Sequence, residues 1–434
     1  MTFSFRPLRL AALVLVAALL GAAAFSLPFR SAAAATPPPA FGAQFHGMWS
    51  SYTDVQRTVV LDQLKASGAT WVRVDVSWAM VQPNPPSYPN SGYDLNWGVP
   101  KVDRVLQMVT ARGLKPLVTF WLTPGWANGN AGERTLPTNV ADYANAARWM
   151  AARHAGTVPA WEVWNEPNLP SFMTGADPVA YTRLLRAAYP AIKAGNSAAN
   201  VVFGGPAHND DTWIGRAYAA GAQGHFDTMS THPYMGVADQ APETPDDGTK
   251  WTLTHVSAVR RLMDANGDAG KKVWFTEFGW SSHGNTGLDL SCGCNNWTRG
   301  VSEATQGDYL VRTLKLIQAH YPYVTHAFWY ADRNRVQPTD GDWGDLHNAN
   351  YGLLYQDLTP KPVYTKVKAH LLSVVPAPTT SPVPTVSPTS TPSPAPTVSP
   401  SPSPSPIPTK SKGPRWRKGA VIAAEIGVAV KLLR

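Results

Sequence analysis

The sequence predicts a single (β/α)8 barrel, and three observations predict it. Eight short apolar runs are each followed by a run with the amphipathic spacing of a helix. Alternation of that kind builds a parallel sheet with its helices outside. No early strand leads into the glycine-rich phosphate turn of a doubly wound open sheet, which is the runner-up arrangement. The chain of 434 residues also has room for one barrel of roughly 250 residues or more, with appendages to spare.

In order, residues 41–49 read as the first strand, followed by a helix at 54–67 that Gly68 ends. Strand 70–78 precedes a helix at 99–112 stopped by Gly113, and strand 115–122 precedes a helix at 139–154. Glycine just past a helix readily takes the left-handed cap. The fourth strand is Trp161-Glu162-Val163-Trp164-Asn165-Glu166-Pro167-Asn168. Its apolar residues suit a buried strand, and Pro167, with no N–H to give, ends the pairing. A helix at 179–193 leads to strand 201–205, and one at 214–220 to strand 226–234. A helix at 253–264 leads to strand 273–280 and one at 303–319 to strand 324–330, and a helix at 362–374 closes the set.

The ends are not barrel. Arg6 and Arg9 precede an apolar run at 10–25 and then Ala32-Ala33-Ala34-Ala35, so residues 1–35 have the layout of a secretory signal peptide. An uncleaved membrane anchor is the alternative, disfavoured because the run is short for a span. A secreted, extracellular or cell-surface protein is therefore expected, with the barrel at 36–375. Residues 376–409 are almost wholly Pro, Ser, Thr, Val and Ala, a composition that builds no core and gives an extended stalk open to O-glycosylation. Residues 410–434 are basic and then apolar, and their apolar stretch at 419–430 is too short to cross a bilayer. Two readings stand for this tail: a weak contact with an anionic envelope or membrane surface, and a disordered end.

The formal charge of +8 belongs to those ends: residues 1–35 hold +3 and residues 410–434 hold +6, which leaves −1 on the body. The body therefore gives no reason to expect nucleic acid, and its near-neutral, tryptophan-rich surface suits an uncharged partner. Cys292 and Cys294 are the only cysteines. They are too few for a metal site, and a loop disulfide or free thiols remain. No cofactor and no metal are expected, and the chain is expected to act as a monomer.

Strands four and seven carry the chemistry. Glu166 in Trp-Asn-Glu-Pro and Glu277 in Thr-Glu-Phe-Gly both lie at strand C-terminal ends, where barrel side chains act. An isolated Asn-Glu-Pro would be read as a surface turn; the matching strand far downstream changes that. Cleavage of an acetal between two sugars needs a proton donor for the leaving oxygen and a carboxylate to trap or steady an oxocarbenium-like transition state. Two glutamates across a barrel mouth can supply both, with a gap of about 5 Å feasible. Arg73 on strand two is placed to hold Glu277 ionised and lower its pKa, the alternative being a structural pair with Asp75 or Glu162. His232 and Tyr234, two apart on strand six, face the same way and can each donate to a carboxylate or sugar hydroxyl. Trp329 offers a flat face to a pyranose ring, and Trp121, Trp126 and Trp280 could extend it, although each alone reads more readily as core. Asn165 is set for a sugar hydroxyl. Glu162, aimed with Glu166 by strand alternation, is the fallback acid.

These motifs together resemble the retaining (β/α)8, or TIM-barrel, glycoside hydrolases of clan A. Glycoside hydrolase family 5, the cellulase family, looks nearest, and Glu-Val-Trp-Asn-Glu-Pro-Asn also resembles the family 39 xylosidase and iduronidase group. The likeness covers about residues 41–374. It implies Glu166 as acid/base, Glu277 as nucleophile and Asn165 as the 2-hydroxyl contact. It further implies Arg73, His232 and Tyr234 as supports of the nucleophile and Trp329 as the platform under the sugar. The expectation is a secreted retaining glycosidase acting on a neutral, β-linked oligo- or polysaccharide. The alternative is a glycan-binding barrel, weakly active or inactive, held out on a cell-surface stalk.

Overall fold

The computed structural model describes residues 36–284, 299–336 and 343–374. The expected leader, Cys292 and Cys294, the proline-rich stretch and the basic tail lie outside the described residues. No described helix is long and apolar enough to cross a membrane.

Eight strands form one closed parallel barrel in chain order. They are β1 (Ala40–Gln44), β2 (Trp71–Ser77), β3 (Lys115–Trp121), β4 (Ala160–Val163), β5 (Asn200–Phe203), β6 (Thr228–Thr231), β7 (Lys272–Phe278) and β8 (Val324–Trp329). Closure rests on β1 pairing with β8, Ala40 opposite His326 through Ala43 opposite Trp329. That pairing excludes the open-sheet alternative. The outer helices are α1 (Asp54–Ala66), α2 (Gly98–Thr110), α3 (Val140–Arg153), α4 (Pro178–Gly195), α5 (Asp211–Ala219), α6 (Val256–Ala265), α7 (Glu303–His320) and α8 (Pro362–Val374). Local chemistry sets several of their starts. Thr53 and Gln56 form a reciprocal capping box at α1, and Asp177 caps α4 ahead of Pro178. Such caps satisfy orphan N–H groups and are each worth about 1 kcal/mol.

Side-chain alternation divides the barrel interior into layers. Trp71, Leu117, Ala160, Val202, Trp274 and Phe328 pack together as an apolar plug near the strand starts. Gly42 leaves space for this plug, since a Cβ there would sit 2.6 Å from the Phe328 ring. Two residues farther along β2, β3, β4 and β7 stand Arg73, Thr119, Glu162 and Thr276, all fully buried. The interior thus changes from hydrocarbon to a polar layer within one repeat of each strand. That polar layer is the floor of the site.

Every strand is somewhat shorter than expected, and three are much shorter. β1 stops at Gln44, where the chain turns, Trp49 N–H bonding to His46 O at 2.9 Å. β6 stops at Thr231, two residues before Pro233. β4 stops at Val163 because Trp164 (φ 74°) and Glu166 (φ 42°) take left-handed conformations that a ladder cannot continue. Short helices at Trp78–Val81, Gly125–Asn128 and Trp343–Ala349 were not anticipated.

β7 carries the irregularity that matters most. Phe275 faces Ala327 but Phe278 faces Trp329, so three residues of β7 span what two of β8 span. A bulge of this kind re-aims side chains locally. Here it lets two sequence neighbours, Thr276 and Glu277, both reach the barrel axis.

Candidate active site

Glu166 and Glu277 meet at the C-terminal mouth of the barrel. One carboxylate oxygen from each, together with a ring nitrogen of His232, lie within 4.8 Å of one another. Glu166 is 7 % exposed and Glu277 8 %, so both carboxyls are nearly withdrawn from water yet still reachable. The trio has the donor types of a cation site, but its atoms are already engaged. A guanidinium 2.6 Å from Glu277 and hydrogen bonds to each member make it a poor one.

Arg73 organises the floor. Its Nε donates to Glu162 Oε2 at 2.7 Å, its Nη1 to Glu277 Oε1 at 2.6 Å and to Gln44 Oε1 at 2.8 Å, and its Nη2 to Asn165 Oδ1 at 2.6 Å. The two pairings weighed as alternatives therefore coexist. Arg73 is both the structural partner of Glu162 and the cation beside Glu277, with Asp75 at 3.6 Å. Because a guanidinium only donates, Asn165 must turn its carbonyl oxygen towards Arg73. Its NH2 group is then directed away, ready for a ligand hydroxyl.

Glu162 lies beneath this layer and is fully buried. It accepts from Arg73, from Thr119 Oγ1 at 2.6 Å and from the Gly205 N–H at 3.2 Å. Although burial pushes its carboxyl up, Arg73 and the neighbouring donors hold it below the usual carboxylate range. A fully enclosed, fully bonded carboxylate cannot meet substrate, so Glu162 is not a fallback acid. The regular alternation assumed for it and Glu166 ends at Val163.

The two mouth carboxyls are held differently. Burial raises Glu166 to about 8, with Glu162 and Asp75 adding to the rise and Arg73 opposing it. Trp161 and Trp164, both fully buried, lie in the same segment and help keep its surroundings dry. Burial also raises Glu277, contrary to the expectation that Arg73 would lower it, while His232 and Arg73 pull it back. Tyr234 Oη donates to Glu277 Oε2 at 2.9 Å. His232 Nδ1 lies 3.0 Å from Glu166 Oε1, and burial lowers the pKa of its ring. Both residues reach the carboxyls from beyond the end of β6, where Tyr234 N–H bonds to His232 O at 2.7 Å, rather than by strand alternation.

The aromatic expectations divide. Trp329 is fully buried; its Nε1 donates to Tyr351 O at 2.9 Å and its ring stacks 6.3 Å from Trp280. Trp280, 2 % exposed, donates to Gln240 O at 2.8 Å. Neither offers a free face, so neither forms the sugar platform. Alternation along β8 turns Phe328 inward and Trp329 towards the helices. Trp121 and Trp126 are half-buried at the mouth, Trp121 stacked 6.1 Å from Phe172 and Trp126 donating to Gln82 O at 3.0 Å. Two further tyrosines that the sequence reading did not single out pack around Tyr234, the ring that bonds Glu277. Tyr330 and Tyr351 lie 6.4 Å and 5.9 Å from Tyr234 and 5.6 Å from each other. Gln44 and Thr276 were missed as well. The signal for Gln44 is its register opposite Arg73, which is visible only once the sheet is paired.

Replacing Arg73 by Met leaves Glu162 buried without its cation. Breaking a buried pair costs about 3–5 kcal/mol, so Arg73→Met is expected to lower the unfolding free energy by that much, with a correspondingly lower denaturation midpoint, and to abolish activity. A midpoint equal to wild type, measured by urea unfolding, contradicts the role given to Arg73.

Closed barrel and carboxyl pair define a glycoside hydrolase of clan A. The sequence pattern of the cellulase family (glycosyl hydrolase family 5) matches residues 32–329. The chain belongs to that family. Solved structures share its fold. A family 39 glycoside hydrolase from the gut symbiont Bacteroides cellulosilyticus WH2 is 25% identical at a TM-score of 0.59, over 77% of this chain and 63% of that one. A GH5_18 protein from Streptomyces cattleya, solved with GlcNAc, is 20% identical at a TM-score of 0.58, over 80% of this chain and 82% of that one. A family 39 β-xylosidase from Caulobacter crescentus is 18% identical at a TM-score of 0.54, over 77% of this chain and 72% of that one. The chain thus spans less than two thirds of the Bacteroides enzyme, and its likeness to both families agrees with the mixed motif of β4. No curated protein matches the sequence.

Proposed function

We propose that the chain is an exported, monomeric retaining β-glycosidase that cleaves O-glycosidic bonds in a neutral oligo- or polysaccharide by double displacement. One observation carries this reading: acidic oxygens of Glu166 and Glu277 lie within 4.8 Å of each other. Retaining enzymes hold their pair about 5–5.5 Å apart, whereas inverting enzymes leave room for water at about 6.5–9.5 Å. Glu166, its carboxyl raised to about 8, protonates the leaving oxygen while Glu277 attacks the anomeric carbon. Glu166 then deprotonates the water that releases the glycosyl-enzyme. Arg73 and Tyr234 neutralise Glu277 as the leaving carboxylate of the second step, and the Asn165 amide donates to the 2-hydroxyl. Export rests on the composition of residues 1–35, and the basic tail is assigned a weak contact with an anionic envelope.

The pH profile follows from the two shifts. Glu166 must be protonated to act as an acid, so kcat/KM is expected to fall as pH rises through about 8. Glu277 must be ionised, so the acidic limb should lie above the usual carboxylate range. A profile flat from pH 6 to 10 contradicts the assignment. Incubation with aryl β-glycosides, β-glucans, xylan and mannan tests the function itself. Released colour or reducing ends support it, and glycan retained without turnover identifies a binding barrel instead.

A further inference from the structure

His232 is fully buried between two partners. Its Nδ1 faces Glu166 Oε1 at 3.0 Å and Glu277 Oε2 at 3.9 Å, and its Nε2 lies 3.0 Å from Thr276 Oγ1. A ring nitrogen aimed between two carboxyl oxygens is stabilised by a proton and repelled if it presents a lone pair. With the one proton of a neutral ring on Nδ1, Nε2 accepts from the Thr276 hydroxyl, for which the Glu162 carboxylate is a competing acceptor. Gly205 clamps this bond: a Cβ there would sit 2.5 Å from His232 Nε2 and 2.7 Å from Thr276 Oγ1. Its carbonyl also accepts the Glu166 N–H at 3.1 Å. The bulge in β7 aims Thr276 at His232 while Glu277, the next residue, takes the other side.

We propose that Thr276 is a positioning residue for the acid. By donating to Nε2 it keeps the His232 proton on Nδ1, which commits Oε1 of Glu166 to accepting and confines the transferable proton to Oε2. The inference rests on the reading of Glu166 as the acid/base. Without the Thr276 hydroxyl, the ring is free to take its other tautomer. Nδ1 then accepts from Glu166 Oε1, and the acid proton points into the protein instead of at the leaving oxygen. Nothing in Thr276 touches substrate.

The test uses the full chain, Thr276→Val and Thr276→Ser, with 15N-labelled histidine and two aryl β-glycosides, one with an activated leaving group and one with a poor one. The ring signal of His232 is assigned by its loss in His232→Gln. Wild type is expected to show the Nδ1–H tautomer and Thr276→Val the Nε2–H tautomer. General acid catalysis is worth about 10²–10⁴-fold, so Thr276→Val should lose about tenfold or more on the poor leaving group and much less on the activated one. Thr276→Ser, which keeps the hydroxyl, should restore both the tautomer and the activity. A wild-type ring protonated on Nε2 overturns the proposal even if the valine variant does not fold. Equal losses on both substrates with an unchanged tautomer also overturn it. Glu166→Ala separates the two claims: if it spares activated substrates while Thr276→Val does not, only the role of Thr276 fails. If it hits both substrates alike, the acid assignment itself is wrong.

Discussion

Glu277→Gln is expected to remove turnover, by roughly 10⁴-fold or more, the scale on which losing a nucleophile acts. The amide has the same shape: its oxygen can still accept from Arg73 Nη1, 2.6 Å from Glu277 Oε1, while its NH2 takes the Oε2 position and donates to Tyr234 Oη, 2.9 Å away. It cannot form the glycosyl ester. Fold and sugar binding should therefore survive. Stability should hold or rise, because the lost carboxylate is one that burial already disfavours as a charge. Arg73 keeps Glu162 as its counter-charge. Kinetics on an aryl glycoside, alongside calorimetric ligand binding, check both halves. Wild-type turnover in this variant ends the nucleophile assignment.

Glu166→Ala should divide the substrates by chemistry. With a poor leaving group the first step loses its proton donor, and about 10²–10⁴-fold of rate goes with it. With an activated aryl leaving group no proton is needed there, so kcat/KM holds while kcat falls, because the second step lacks its base. The variant also leaves a cavity where the carboxyl stood, beside His232. Azide can enter it and attack the glycosyl-enzyme, so added azide should raise kcat on the activated substrate and yield a glycosyl azide. If neither a substrate split nor azide rescue is seen, Glu166 is not the acid.

Much of the fold was legible because barrel strands announce themselves locally. Each is an apolar run of a few residues, and the following helix has its own period and stop. Both carboxyls could be placed for the same reason, since Glu166 and Glu277 close such runs. The failures have one source. Alternation predicts direction only while a strand stays regular, and at the site it does not. β4 ends three residues before Glu166 in left-handed backbone, and β7 bulges at Thr276 and Glu277. Glu162 therefore lies below Glu166 instead of beside it, and Thr276 went unnoticed. Trp329 drew attention by its type, yet the parity of β8 sends it into the core. Tyr351 follows the short helix Trp343–Ala349, and only the folded loop shows that it approaches Tyr234. The cation beside Glu277 was found from the sequence, but the net direction of its pKa was not. Burial, which depends on every surrounding element, outweighs one favourable neighbour.

The stereochemistry of the first sugar released is the most direct measurement of the central claim, because it reads the carboxyl separation in solution. Proton NMR of the anomeric signal, recorded during early hydrolysis of an aryl β-glycoside, should show the β-anomer appearing first and the α-anomer growing later by mutarotation. An α-anomer formed first means a single displacement by water, and two carboxyls this close together leave that water no room.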